Sequence, residues 1–331
     1  MSSHRIRAGL IGLGAMGRNH ARVLSSLEGV EFAVALDPQV DKIAASPGVP
    51  VVKELDDFLK YGLDYAVIAC PTALHEPIGL ELAAAGVNAL IEKPLAHTAE
   101  AAGKLAEAFS ERGLVAGVGH IERYNPAVQS MRARLQNGEL GDILQIATRR
   151  QGPFPHRIAD VGVVKDLATH DIDLTAWVTG ESYETVFAQT QHRSGRPHED
   201  MVTATARLSG GVIANHAVNW LSPFKERRAV VTGDKGSFTA DTLTGDLTFH
   251  SNGVEDTEWE AVAAFRGVSE GDMIRYAVRK REPLLVEHEM FRDAVLGREA
   301  DIVTIEQGLK VVTVSEMMLE SANNGTAVPA Q

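Results

Sequence analysis

Cysteine is almost absent from this chain of 331 residues. The single thiol, Cys70, has no internal partner for a disulfide and cannot supply a thiolate zinc cluster, so neither framework holds the fold. Long apolar runs are missing as well: nothing approaches the roughly 20 residues a membrane helix needs. The opening Met-Ser-Ser-His-Arg-Ile-Arg leads straight into a strand-like segment without a signal-peptide pattern, which makes the cytoplasm the expected location. Positive charge is in deficit, with 32 Lys and Arg against 44 Asp and Glu and a formal net charge of −12, a balance that argues against non-specific nucleic-acid binding. Internal repeats and low-complexity tracts do not occur. What remains is an ordinary globular composition, 44% apolar and 23% charged, at a length that suits two domains rather than one core.

From Ile6 onward, short apolar runs alternate with helical stretches, the rhythm of a parallel sheet built from βαβ units. Runs such as AVALD and YAVIAC are apolar throughout, as strands covered on both faces must be, and further runs at 87–91 and 114–118 extend the sheet. Thr98 is the expected N-cap of an Ala-rich helix that ends near Phe109. After about residue 122 the texture changes. Asn125-Pro126 opens a helix that Asn137-Gly138 closes, and strand-like segments follow with few helices between them. In MVTATARL, Val202, Ala204, Ala206 and Leu208 alternate with polar partners, and Ser209-Gly210-Gly211 follows as a hairpin turn. Two helical stretches, 284–296 and 304–319, come last. The expected architecture is therefore an α/β Rossmann-type parallel-sheet domain over 1–122, followed by an α+β domain over 123–331 with a predominantly antiparallel open sheet.

Gly12-Leu-Gly14-Ala15-Met16-Gly17 directly follows the first apolar strand and directly precedes a helical segment. In that context Gly12 permits a tight turn, Gly14 lets a pyrophosphate approach the backbone, Gly17 allows close helix packing, and free N–H groups at the helix start bind the anion. Asp37, twenty residues after Gly17, ends the second strand, where a carboxylate accepts hydrogen bonds from a ribose 2′-hydroxyl. A 2′-phosphate charge about 4 Å from that carboxylate would be opposed by roughly 4 kcal/mol per charge pair at an effective dielectric of 20. Neighbouring Pro38 and Gln39 supply no positive charge, so NAD is favoured over NADP.

Glu92-Lys93-Pro94 ends a predicted strand, on the edge where open parallel sheets hold their ligands. Lys93 reads either as a positioned group able to take part in proton transfer or as half of a surface ion pair with Glu92. Asp166 and His170 lie four residues apart, hence on one face if the segment is helical, and imidazole is the natural base for a hydroxyl proton. An ordinary helix pair is the alternative. Asp171 and Asp173 close behind match no established metal spacing, so no metal site is expected.

Taken together, GLGAMG, CPTALH at 70–75, EKPLA and DLATHDID resemble the Gfo/Idh/MocA family of glucose-fructose oxidoreductase and inositol dehydrogenase relatives, over nearly the whole chain. The resemblance implies a catalytic group of Lys93, Asp166 and His170, a cis peptide before Pro94, and alcohol oxidation in which His170 takes the hydroxyl proton while hydride leaves for the nicotinamide. It also implies cofactor contacts from Cys70, Pro71, Thr72, His75, Glu92 and Lys93, with Cys70 standing where relatives often carry Thr or Ser. GHIERYNPAV and TRRQGPFPHRIADVGVVKDLATHDID further resemble UDP-N-acetylglucosamine 3-dehydrogenases. That likeness points to Lys93, Arg123, Tyr124, Asn125, Arg150, His156, Arg157, Asp166 and His170 as substrate contacts. Arginine forks suit diphosphate oxygens, although such a cluster also suits an ion-pair network, and Tyr124 and Asn125 equally suit core and helix-start roles. A myo-inositol or free-sugar dehydrogenase is the competing enzyme, and a dinucleotide-binding regulator without turnover is the non-enzymatic alternative. A homodimer or homotetramer formed through the open sheet face is implied by the same likeness.

Overall fold

The computed structural model describes residues 5–39, 48–155, 161–253 and 270–330. The chain divides into two compact units, Met1–Ile121 with Glu282–Glu316, and Glu122–Arg281 with Met317–Gln331. The expected two-way split at residue 122 thus needs one correction, because a late segment returns to the first unit. The reason is packing: Phe291, Val303, Ile305 and Val312 are buried in the first unit's core, and Val118 donates its N–H to the Val303 carbonyl.

The first unit's sheet contains β1 (Ile6–Ile11), β2 (Val30–Leu36), β3 (Val51–Val52), β4 (Tyr65–Ile68), β5 (Asn88–Glu92) and β6 (Ala116–Gly119) in the order β3-β2-β1-β4-β5-β6. All its pairings are parallel. Parallel strands need crossovers, supplied by α1 (Ala15–Leu24), α2 (Leu55–Leu59), α3 (His75–Ala84) and α4 (Ala99–Glu111). Two apolar clusters form around the strands, one holding Ile68, Ile91, Leu105 and Phe109, the other Leu10, Leu24, Tyr65 and Leu90. Strand order reverses between β1 and β4, which makes their carboxyl ends a topological switch point. Thr98 caps α4 as expected, its side-chain oxygen accepting the Ala101 N–H.

The second unit opens with α5 (Pro126–Gln136), capped by Asn125, and β7 (Ile143–Pro153). It continues through α6 (Thr169–Thr179), β8 (Tyr183–Gln191), β9 (Met201–Leu208), β10 (Ile213–Asn219), β11 (Leu221–Gly233), β12 (Gly236–Asp241), β13 (Asp246–Asn252) and β14 (Glu270–Tyr276). After α7 (Pro283–Val295) of the first unit, α8 (Ile305–Asn324) leads from one unit into the other, and β15 (Val328–Pro329) ends the sheet. The nine strands run in the order β14-β13-β12-β11-β7-β10-β9-β8-β15, antiparallel except where β10 meets β7. In β9 the residues Val202, Ala204, Ala206 and Leu208 are buried and the intervening ones exposed, the alternation its sequence predicts. Helices α5 and α6 cover one face of this sheet. β13 and β14 went unread in the sequence because they have little apolar alternation: Met273 and Ile274 of β14 are both exposed.

Inside this unit His216 of β10 is buried between Thr148 Oγ1, 2.8 Å from its Nδ1, and the Tyr183 hydroxyl, 2.9 Å from its Nε2. Burial lowers its pKa to about 4. The unfolded chain takes up this proton near pH 6.5 and the folded chain only near 4, so stability falls as pH drops through that interval and is unaffected by this group above it. Between pH 7.5 and 5 the loss expected from His216 is about 2 kcal/mol. Urea unfolding at both pH values, compared between the wild type and His216→Gln, checks this: the variant's stability should change less across the same interval.

Candidate active site

At the carboxyl edge of the first sheet, the β1–α1 turn folds onto the end of β4. Gly12 has φ +92°, and a Cβ there would sit 2.7 Å from the Ala69 carbonyl oxygen. Gly17 is required for a different reason, since a Cβ would lie 1.9 Å from the Gly12 carbonyl oxygen. Gly14 faces open space, with no atom within 4 Å of a built Cβ, and no side chain caps the first turn of α1, which runs through Ala15, Met16 and Gly17. An uncapped helix start beside a bare glycine is a cradle that fits a pyrophosphate. Asp37 stands just past β2: its Oδ2 accepts the Leu13 N–H at 2.8 Å and its Oδ1 accepts the Gln39 N–H at 2.8 Å. The carboxylate thereby ties the glycine turn to the second strand and retains lone pairs for a ribose. These residues fit a nicotinamide dinucleotide.

Lys93 follows the last residue of β5 and is joined to Pro94 by a cis peptide. Behind it lies a chain of buried polar groups, of which Glu92 was named from the sequence and His20 and His288 were not. Glu92 Oε2 accepts the Lys93 N–H at 3.1 Å, and Glu92 Oε1 lies 2.8 Å from Nε2 of His20 on α1. His20 Nδ1 is in turn 2.8 Å from Nε2 of His288 on α7. Burial alone would raise the Glu92 pKa, but the His20 hydrogen bond and charge, with the Lys93 charge, outweigh it and hold the carboxyl below its ordinary value. Burial drives His288 well below the usual imidazole range, assisted by His20. His75 pins two further segments, with its Nδ1 and Nε2 each 3.0 Å from a backbone carbonyl, of Pro94 and Cys70 respectively. That contact fixes the Cys70-Pro71-Thr72 turn against the residues after Lys93. Burial also pushes the Cys70 thiol up to about 12, leaving it protonated and unreactive at neutral pH. His20→Phe strands an ionised carboxylate and an imidazole in the interior, at an expected cost of about 3 kcal/mol. In a double-mutant cycle by urea unfolding, the losses from His20→Phe and His288→Leu should be strongly non-additive, because the two rings share one chain of hydrogen bonds.

In the second unit a π-helical turn, Val164–Ala168, runs directly into α6. The sequence predicts a plain α-helix here; the wider i→i+5 turn still keeps positions four or five apart on one side. Asp166 lies within that turn and His170 in the first turn of α6, and both are almost fully buried. Glu199, also missed in the sequence, accepts the Val164 N–H at 2.9 Å and so holds the start of the turn. Two arginines expected to reach an anionic substrate are internal counter-ions instead. Arg123 forms a two-pronged pair with Asp173, at 2.8 and 2.5 Å, and Arg150 binds Asp171 at 2.9 Å and Glu122 at 2.8 Å. Arg150 is 2% exposed, which leaves it no surface for a ligand. Burial would lower its pKa, yet Asp171 and Glu122 raise it, while Glu122 is drawn below the usual carboxylate range and burial pushes Asp171 above it. Asn125 acts as a helix cap and donates to the Thr242 carbonyl, and Tyr124 is buried. His156 and Arg157 lie outside the described residues.

Comparison with known proteins agrees with this arrangement. Residues 6–120 match the family described as "Oxidoreductase family, NAD-binding Rossmann fold", and residues 128–239 match the "GFO/IDH/MocA C-terminal domain". The chain is 30% identical to a UDP-N-acetylglucosamine 3-dehydrogenase of Acidithiobacillus ferrooxidans over 88% of each protein, and 24% identical to a scyllo-inositol 2-dehydrogenase (NAD(+)) of Bacillus subtilis over 98% of this chain and 96% of that protein. Among solved structures, the Acidithiobacillus 3-dehydrogenase superposes with a TM-score of 0.84 at 27% identity, covering 97% of this chain and 98% of the other. GenD2 from gentamicin A biosynthesis, in complex with NAD, gives 0.83 at 26% identity, covering 99% and 97%. The parallel-sheet unit with its glycine turn, the mostly antiparallel second unit and the matches across both identify the chain as a sugar or polyol oxidoreductase of the GFO/IDH/MocA family.

Proposed function

We propose that the protein oxidises a secondary hydroxyl of a sugar with NAD, and that its substrate is UDP-N-acetylglucosamine, oxidised at carbon 3. The observation that carries the reaction is the placement of Asp166 and His170, two nearly buried groups able to exchange protons on one π-to-α junction, in a chain whose other unit presents Lys93 at the carboxyl edge of its sheet. The bound nicotinamide supplies the hydride acceptor. The sugar's C–H and O–H bonds break and a carbonyl forms: the electron pair of the C–H bond departs as hydride, and His170 takes the hydroxyl proton. Lys93 polarises the reacting oxygen, and Asp166 favours the protonated imidazole. Asp37 supports NAD over NADP, because a carboxylate at the ribose end opposes a 2′-phosphate. The nucleotide-sugar assignment is supported by the 30% identical relative.

One observation favours a free-sugar or inositol substrate instead. Arg123 and Arg150 are neutralised inside the second unit and are not available to a diphosphate. A panel of UDP-N-acetylglucosamine, myo-inositol and glucose with NAD, read by nicotinamide absorbance and by the position of the new carbonyl, separates the two. For assembly we propose the sheet face opposite α5 and α6, where Thr203, Thr205, Arg207 and Phe187 are exposed among the described residues; light scattering should report a dimer or tetramer.

Lys93→Ala and His170→Ala should each lower kcat by about 10²–10⁴-fold, and His170→Ala should leave NAD binding intact. Unchanged turnover in both variants would sink the proposed chemistry. Asp37→Ser should raise kcat/KM with NADP relative to NAD at least about tenfold, from removal of roughly 1.4 kcal/mol or more of repulsion; an unaltered ratio in steady-state kinetics contradicts the assignment.

A further inference from the structure

With Arg123 and Arg150 held in internal ion pairs, another cation stands on the covered face of the second sheet. Arg227 of β11 is the register partner of Arg150 on β7. Along β11 it shares its face with the buried Ala229 and Val231, whereas Arg228 projects to the opposite side with its register partner Arg149. The two neighbouring guanidiniums are treated differently. Arg150 has a carboxylate on each side, Asp171 and Glu122. Arg227 is only partly exposed, and its side chain makes no hydrogen bond and no ion pair with the described residues. Its surroundings are Arg150, Glu122, Asp171 and Asp166, and burial together with the Arg150 charge lowers its pKa. A guanidinium that loses hydration and faces a like charge without a hydrogen-bonded acceptor is in a costly position. A ligand oxygen would relieve it.

We propose that Arg227 is a substrate-binding residue that donates hydrogen bonds to an oxygen of the sugar next to the hydroxyl on which Asp166 and His170 act. This rests on the function proposed above and extends it to specificity. The kind of oxygen follows from the local charge. The carboxylates of Glu122, Asp166 and Asp171 stand beside the two guanidiniums, so the patch has no excess of positive charge with which to attract a dianionic phosphate. A neutral acceptor suits it, either the carbonyl of an acylamino substituent or a neighbouring ring hydroxyl. Recognition of this kind discriminates well, since a sugar lacking the acceptor leaves a half-buried guanidinium unpaired.

Two measurements test the assignment. In wild-type protein with NAD, phenylglyoxal labelling followed by peptide mass spectrometry should modify Arg227 faster than Arg123 or Arg150. UDP-N-acetylglucosamine, UDP-glucose and myo-inositol are then added separately, and whichever the enzyme oxidises should slow labelling at least about fivefold. In steady-state kinetics Arg227→Gln should raise KM for that sugar at least about tenfold with kcat altered less, leave the affinity for NAD unchanged, and weaken the preference between UDP-N-acetylglucosamine and UDP-glucose; Arg227→Lys should recover part of the loss. An internal counter-ion would behave otherwise: Arg227→Gln would lower the unfolding midpoint with KM unmoved, and that result overturns the proposal. If Arg227→Gln does not fold, Arg227→Lys and the wild-type labelling still decide. Should the wild type oxidise none of the three sugars, the proposed function fails separately. Protection of Arg227 by a bound sugar would then still support its role, and absence of protection by all three would overturn it.

Discussion

An unpaired charge cannot be carried into a protein interior, because the solvation it gives up is of the order of the whole stability of a domain. Both units of this oxidoreductase are arranged around that constraint. In the first, Glu92 lies next to Lys93 and is nine-tenths buried, so its carboxylate requires partners; the His20 imidazole and the Lys93 backbone N–H provide them. His20 then needs a partner of its own, which His288 supplies from a helix near the far end of the chain. This requirement adds to the apolar packing that holds residues 282–316 with the dinucleotide-binding sheet although they follow the second unit in sequence.

The second unit solves the same problem with guanidiniums. Asp171 and Asp173 follow His170 on α6 and would be intolerable in its packed face without Arg150 and Arg123. Their pairing fixes how α6 sits on the sheet, and so how His170 and the preceding π turn are held. The same arginines looked like substrate ligands in the sequence because their chemistry is identical in either role. Burial separates the roles: a guanidinium bonded to internal carboxylates and almost wholly enclosed exposes no N–H to a phosphate.

Much of the fold is legible in the sequence because the governing interactions are local. Thr98 and Asn125 act as caps through N–H groups two or three residues away, and Val202 to Leu208 declare their faces by strict alternation. Gly12 and Gly17 are dictated by contacts within the turn and with the adjoining strand end. The edge strand β14 and its neighbour β13 were not legible, since strands toward the margin of a sheet need no sustained apolar alternation to stay there.

Residue order by itself therefore determined the two-part architecture and the glycine cradle with Asp37, while Lys93, Asp166 and His170 stood out as the residues proposed for the chemistry only through the likeness of the whole chain to a family. Tertiary structure decided which charges are consumed internally and which remain available: His20 meets Glu92 across 72 positions and His288 across 268, and Arg227 meets Arg150 only through the register of β11 against β7. Periodicity and capping act over a few residues, whereas desolvation and charge pairing depend on which distant segments are brought together, and that information exists only once the chain has folded.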